Sequence, residues 1–220
     1  MRYILILFLL IPGSICLFAQ PKTPGKPIQI GLGLTGIAYT GDLSSTSTQF
    51  QRVHPGGNFS LQRAGASLFD LQFNTGFGRF TEQTEAQTNT QANTFVETQF
   101  VYGDLRIRFR PLAGKKIHPY ISAGAGVLVF SPRDQYGKFL IRNGGTRTDT
   151  EEKYNTAVPQ LPLSGGVHMK INDLAAVSLD YTYRFTPTDY LDNISQLGKR
   201  RGFDALHALQ LSVYFILSNP

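Results

Sequence analysis

The chain has a single cysteine among its 220 residues, so no disulfide can form within it. That cysteine, Cys16, falls in the first twenty residues, and lipid attachment there is disfavoured because Ile15 stands where a small residue is expected. Beyond those residues no apolar run approaches the ~20 residues that a membrane-crossing helix needs. The four histidines (His54, His118, His168 and His207) share no metal-ligand spacing, so neither a metal nor a cofactor is expected. Concentrated positive charge is also missing. The basic excess is dispersed apart from Lys199-Arg200-Arg201, which argues against a nucleic-acid surface and for attraction to anionic lipid head groups.

What is present begins with Met1–Gln20. It has one positive charge (Arg2), an apolar run from Tyr3 to Ile11 and a polar stop at Ala19-Gln20. This is the pattern of a signal peptide. Residues 1–20 are therefore expected to be removed, leaving 21–220 as one all-β domain whose net charge, without Arg2, falls from +6 to +5. If that domain enters a membrane without a helix, it must close into a barrel, because every backbone polar group has to be satisfied within the protein.

The clearest alternation runs from Ala175 to Thr186. Ala175, Val177, Leu179, Tyr181, Tyr183 and Phe185 alternate with Ala176, Ser178, Asp180, Thr182, Arg184 and Thr186. Successive strand side chains point to opposite faces, so one face is apolar and the other almost wholly polar. Seven further strands are predicted: Ile28–Tyr39, Val53–Gln62, Ser67–Thr81, Phe95–Arg110, Pro119–Phe130, Pro159–Lys170 and Ala205–Leu217. Of these, Val53–Gln62 has the weakest pattern. Connections alternate between tight turns near 63–66, 113–117 and 172–174 and long loops over 40–52, 82–94, 131–158 and 187–204. An even strand number with short turns at one end and long loops at the other predicts an eight-stranded antiparallel transmembrane β-barrel. Its short turns and both termini are expected in the periplasm, with its long loops extracellular. A soluble barrel of the lipocalin kind would turn its apolar face inward around a ligand. Eight strands of this pattern carry too much apolar surface for that, so the apolar face is assigned to lipid and the polar face to the lumen.

Several segments resemble those of a known family. Thr188-Asp189-Tyr190-Leu191-Asp192-Asn193-Ile194-Ser195 resembles the T-D-Y-L-D-[DN]-[VI]-S signature of small outer-membrane β-barrels of Bacteroidota. These include a barrel component of the type IX secretion apparatus. Tyr39-Thr40-Gly41-Asp42-Leu43 is similar to the Y-x-G-D-L after the family's first strand, and Pro119–Gly126 to its PY-x-x-AG-x-G strand. Phe18-Ala19-Gln20 is typical of signal peptides in that phylum. The hydrophilic tail Ser218-Asn219-Pro220 departs from the aromatic ending of many barrels, which leaves Phe215 to supply the assembly signal. The resemblance implies an outer-membrane barrel with envelope or secretion-system proteins as partners.

Two groups of candidate residues follow. Asp70, Arg106, Arg108, Asp180 and Arg184 fall on lumen-facing positions. Buried unpaired charges cost several kcal/mol, so a salt-bridge network is expected, with Asp70 and Asp180 in reach of Arg106 or Arg108. At the long-loop rim, Asp42, Asp189, Tyr190, Leu191 and Asp192 are expected to form a structural latch. Asp42 or Asp189 would accept backbone N–H or Arg184 hydrogen bonds, while Tyr190 and Leu191 tuck over the lumen. Gly31-Leu32-Gly33-Leu34-Thr35-Gly36 matches G-x-G-x-x-G but lies inside a strand, so it is no nucleotide site. Lumen glycines are expected to make room for side chains from the opposite wall. His168, near Ser178 and Asp180, lies too close to a short turn for a rim catalyst and is read as a lumen side chain.

No catalytic machinery emerges, and the preferred function is a non-enzymatic anchor or interaction component of the envelope, linked to a type IX-like secretion machine. The alternatives are a narrow small-solute conduit, which requires a continuous water path, and a lipid-modifying enzyme, which requires a side opening with an acyl-sized pocket.

Overall fold

The computed structural model describes residues 27–41, 52–63, 68–83, 95–112, 115–140, 155–193 and 204–217. Eight strands run in order: β1 (Ile28–Thr40), β2 (His54–Arg63), β3 (Phe69–Gln83), β4 (Phe95–Phe109), β5 (Ile117–Arg133), β6 (Ala157–Lys170), β7 (Ala175–Phe185) and β8 (Ala205–Leu217). Each pairs antiparallel with the next, and β1 pairs with β8 from Ile28↔Leu217 to Thr40↔Ala205, closing the barrel. Closure leaves no strand edge exposed along these ladders.

The predicted faces are the observed ones. Leu179, Tyr181, Leu211 and Val213 are exposed on the exterior and Val177 is half-buried there, whereas Asp180 and Arg184 are buried in the lumen. The exterior stays apolar around the circumference, with Leu34 at 76%, Phe77 at 62% and Ile121 at 63% exposure. Side chains this apolar are stable on the outside only against a medium as apolar as themselves.

Local chemistry sets the strand ends and irregularities. In the β6–β7 turn, Asn172 Oδ1 accepts hydrogen bonds from the backbone N–H of Leu174 (2.9 Å) and Ala175 (2.8 Å), a side chain doing a turn's work. The β5–β6 ladder runs to Ala123↔Leu163 and resumes at Gly126↔Gln160. The skipped stretch contains Pro162, which has no N–H to donate. The sequence prediction ended β3 at Thr81 and β5 at Phe130. Both continue, to Gln83 and Arg133, because neighbouring strands extend equally far and pair with them.

The lumen has two zones. Toward the long loops, Ile37, Tyr39, Phe80, Phe100, Tyr102, Leu128, Phe130, Val158, Leu191 and Leu206 form one buried apolar cluster. Toward the short turns the lining is polar and charged. Lumen glycines in this wall sit directly opposite large side chains of the adjacent strand. A Cβ at Gly31 would meet the Tyr214 ring at 2.6 Å, one at Gly76 the Tyr102 hydroxyl at 2.5 Å and one at Gly166 the Asp180 Cβ at 2.5 Å. The expectation that they clear space for the opposite wall is therefore corrected: the room goes to the neighbouring strand, whose side chain lies over the gap.

Candidate functional site

Asp104, on the lumen face of β4, is the centre of the charge network. Arg106 Nε reaches Asp104 Oδ1 at 2.5 Å, and Arg184 Nη1 reaches Asp104 Oδ2 at 2.6 Å. One carboxylate has four acceptor directions, so it can serve two guanidiniums at once. Arg106 Nη1 also donates to Ser164 Oγ at 2.9 Å. Arg184 donates to Gln160 Oε1 at 3.1 Å and lies over the Tyr102 ring, 3.5 Å from its centroid. All three charged groups are almost fully buried.

A second pair lies nearer the short turns. Arg110 Nε is 2.5 Å from Asp70 Oδ2, and its Nη2 donates to Asp70 Oδ1 at 2.6 Å. The expected pairing of Asp70 with Arg106 or Arg108 is thus corrected to Arg110. Arg110 follows β4 directly, where the chain turns back over the lumen mouth. Arg108 stacks on Tyr120 at 3.7 Å and donates to Gln62 Oε1. Asp180 was also expected to reach Arg106 or Arg108. Instead, among the described residues, it forms no ion pair and takes hydrogen bonds from Thr182 Oγ1 (3.3 Å) and the Tyr120 hydroxyl. Both guanidiniums are already engaged, by Asp104 and by Gln62 with Tyr120.

At the other end, the rim motif closes on Asp204, a residue that the sequence reading did not single out. Tyr39 Oη donates to Asp204 Oδ1 at 2.5 Å, and the Leu191 backbone N–H donates to Asp204 Oδ2 at 2.8 Å. Thr98 Oγ1 donates to the Leu191 carbonyl at 2.6 Å, while Thr186 Oγ1 donates to the Asp204 carbonyl at 2.7 Å. The Asn193 N–H closes a turn onto the Tyr190 carbonyl at 3.0 Å, and Asn193 takes the left-handed conformation, φ 60°, that asparagine tolerates better than most residues. Leu191 has no exposed surface, and half-buried Tyr190 packs against the same cluster. Gly41 leaves β1 so close that a Cβ there would collide with the Tyr39 hydroxyl and Asp204 Oδ1. Only glycine fits.

The latch acceptor was expected to be Asp42 or Asp189, with Arg184 as a donor. Asp42 lies outside the described residues, as do Ile194 and Ser195. Asp189 is half-buried at the rim, Arg184 is committed to Asp104, and the carboxylate that takes the Tyr39 hydroxyl and the Leu191 N–H is that of Asp204. Buried Asp192 is the second carboxylate at the Tyr39 hydroxyl. Burial first, and then the charge of Asp192, hold the Asp204 carboxyl well above its usual value.

Three solved structures share this architecture. The attachment invasion locus protein Ail of Yersinia pestis, in complex with the heparin analogue sucrose octasulfate, is 11% identical (TM-score 0.52), over 88% of this chain and 99% of that one. Neisserial surface protein A is 12% identical (TM-score 0.52), over 86% and 96%. The outer-membrane protein OprG of Pseudomonas aeruginosa is 8% identical (TM-score 0.54), over 89% and 98%. The fold is that of the small outer-membrane β-barrels. At these identities the likeness is one of fold alone. No protein-family profile matches the chain, and no curated protein is similar in sequence.

Among the described residues, His168, Ser178 and Asp180 each have their own surroundings and do not form one hydrogen-bonded set. His168 is buried in the lumen, stacked on His118 at 5.0 Å and edge-on to Tyr214 at 5.2 Å. Ser178 is its ladder partner on β7, and Asp180 is bound by Thr182 and Tyr120. Among the described residues no cluster of three metal-ligating side chains occurs. The residues missed from sequence are Asp104, Arg110, Gln160 and Asp204. Strand parity puts Asp104, Arg110 and Gln160 on the same polar faces as Arg106 and Ser164; their part in the network is what the pattern does not show.

Proposed function

We propose that the chain is exported by its first twenty residues and serves in the outer membrane as a non-enzymatic anchor that presents its long loops to envelope partners. Short turns and both termini would face the periplasm. One observation carries this reading: among the described residues, buried side chains occupy the lumen at two successive levels. The apolar cluster closed by Leu191 occupies the long-loop end, and the Asp104–Arg106–Arg184 network crosses the middle. A wall this apolar outside and this occupied inside supports holding a position in the bilayer and not passing a solute. The catalytic alternative has less support, since among the described residues no nucleophile, base and orienting group converge.

The finer reading, a link to a type IX-like secretion machine in a Bacteroidota envelope, rests on the TDYLD and Y-x-G-D-L segments. The described residues of both meet at Asp204, which takes the Tyr39 hydroxyl and the Leu191 N–H. Two experiments test the proposal. Purified barrel in planar bilayers should give no steady conductance, and a stable conducting state would favour the conduit. Photo-crosslinkers placed in loop 84–94 of the full-length protein in cells should trap a discrete envelope protein. Loss of the gene should then impair release of secreted cargo, and normal secretion without it would remove the secretion link.

A further inference from the structure

The exterior wall changes character abruptly between two ladder rows. Phe77, Val101 and Val129 are aligned across β3, β4 and β5, and all three are exposed. The next outward row toward the long loops is Arg79, Gln99 and Ser131. At this boundary lies a groove of about 570 Å³ lined by both rows together with Pro55, Gly56 and Gly78. Its volume is in the range of ~300–1,000 Å³ typical of small-molecule sites. The missing side chain of Gly57 helps to shape it, since the Phe77 ring lies across the place where a Cβ would stand, at 3.0 Å.

The charges at its upper edge are unequal. Gln99 Nε2 donates to Glu97 Oε1 at 3.0 Å, and Glu97 faces Arg133 across the β4–β5 ladder. Arg52 is held near Glu82 at 3.8 Å, and His54 accepts from the Thr81 N–H. Arg79 is exposed and forms no ion pair among the described residues. An outward guanidinium immediately above an apolar groove matches one kind of occupant: a hydrocarbon chain joined to a phosphate. The planar fork of arginine suits phosphate oxygens better than the ammonium of lysine does.

We propose that this groove holds one membrane lipid, its acyl chain against Phe77, Val101 and Val129 and its phosphate-bearing anionic headgroup on Arg79. The site rests on the membrane reading above. The β3–β4 and β4–β5 ladders run unbroken behind it and the β2–β3 ladder ends at its edge, at Gly56↔Gly78, so the lipid lies along the β3–β5 wall.

The test uses the full-length protein refolded into vesicles of equal parts dimyristoyl phosphatidylglycerol and dimyristoyl phosphatidylcholine, extracted gently and weighed with its retained lipid by native mass spectrometry. The wild type should retain the glycerol lipid about fivefold more than the choline lipid, the factor corresponding to one arginine at a membrane surface. R79Q should abolish that preference with the barrel still folded by circular dichroism. R63Q, at the exposed short-turn end of β2, should keep it. V101W, which fills the groove, should lower retention of both lipids. Equal retention by the wild type, or an unchanged preference in R79Q, would overturn the site while leaving the membrane reading intact. A wild-type chain that fails to insert into the vesicles at all would overturn both.

Discussion

The two ends of the lumen solve the same problem, filling a narrow tube, by opposite means. The long-loop end is packed with aromatic and aliphatic side chains, stacked in places, as Tyr39 is on Phe80 with centroids 4.3 Å apart. The rest is filled by guanidiniums, carboxylates and amides that hold one another. The apolar end is stabilised by removing surface from water and tolerates loss of one contact. The ionic part is conditional. Its groups are favourable only as a set, and one deletion leaves a buried charge without its counterpart. In the same zone, buried Arg108 Nε and Nη2, Ser122 Oγ, His168 Nδ1 and Ser178 Oγ have no hydrogen-bond partner among the described residues.

That contrast can be broken most forcefully at Asp104. Asp104→Ala strands both Arg106 and Arg184 and should destabilise the barrel by about 3–5 kcal/mol in denaturant titrations from lipid vesicles. Arg106→Met should cost less, because Asp104 keeps Arg184; an equal or larger loss would mean that the two arginines do not share the carboxylate as drawn. In the apolar zone, Leu191→Ala removes a fully buried side chain and should cost about 2–4 kcal/mol by the same measurement.

Tyr39→Phe keeps the ring stacking and removes the hydroxyl that Asp204 and Asp192 share, so a loss of about 1 kcal/mol is expected. Asp204 also gives the rim a pH dependence. Its raised pKa means that the folded barrel keeps a proton which the unfolded chain releases, so the stability contributed by that proton is complete below the ordinary carboxylate value of 3.8. It is lost as the pH rises through the raised folded value. The melting temperature should therefore fall across that window, and Asp204→Asn, which cannot ionise, should flatten that part of the curve. A profile unchanged in Asp204→Asn would assign the dependence elsewhere. The smallest effect is expected from half-buried Tyr190→Ala, about 1 kcal/mol, with the lumen zone untouched. An unchanged melting temperature there would favour a surface-displayed docking motif over a latch.

Strand number, order and faces were legible because alternation has a period of two and a membrane barrel keeps it on every strand. β2 was the weakest, since Pro55-Gly56-Gly57 carries no strand preference; pairing with β1 and β3 supplies what propensity does not. The two-zone lumen is written in the parity itself, since Phe80, Phe100, Leu128 and Phe130 occupy lumen-facing positions. Partner choice among the charges was not legible. Asp70 has Arg108 as its ladder neighbour yet takes Arg110, and Arg184 on β7 reaches Asp104 on β4. Such contacts depend on side-chain length and barrel curvature, which register alone does not encode. Asp204 escaped notice for a related reason: it sits 15 residues beyond Asp189, and only the closed barrel returns it to Leu191.

The glycines of the lumen wall carry an evolutionary consequence. Gly31 faces Tyr214, Gly76 faces Tyr102, Gly124 faces Arg106, Gly126 faces Asp104 and Gly166 faces Asp180, each across one rung of a ladder. A side chain added at the small member strikes the large one or its strand, at 2.1–2.6 Å from a newly built Cβ. The rungs differ in what blocks the glycine. At Gly31 every close atom belongs to the Tyr214 ring, so the two positions divide one volume and neither can drift alone. At Gly124 and Gly126 the nearest atoms are backbone carbonyls, at 2.2 and 2.1 Å, which no change in the facing side chain removes. Across relatives of this barrel, positions 31 and 214 should therefore change together and trade size, while 124 and 126 stay glycine whatever stands opposite.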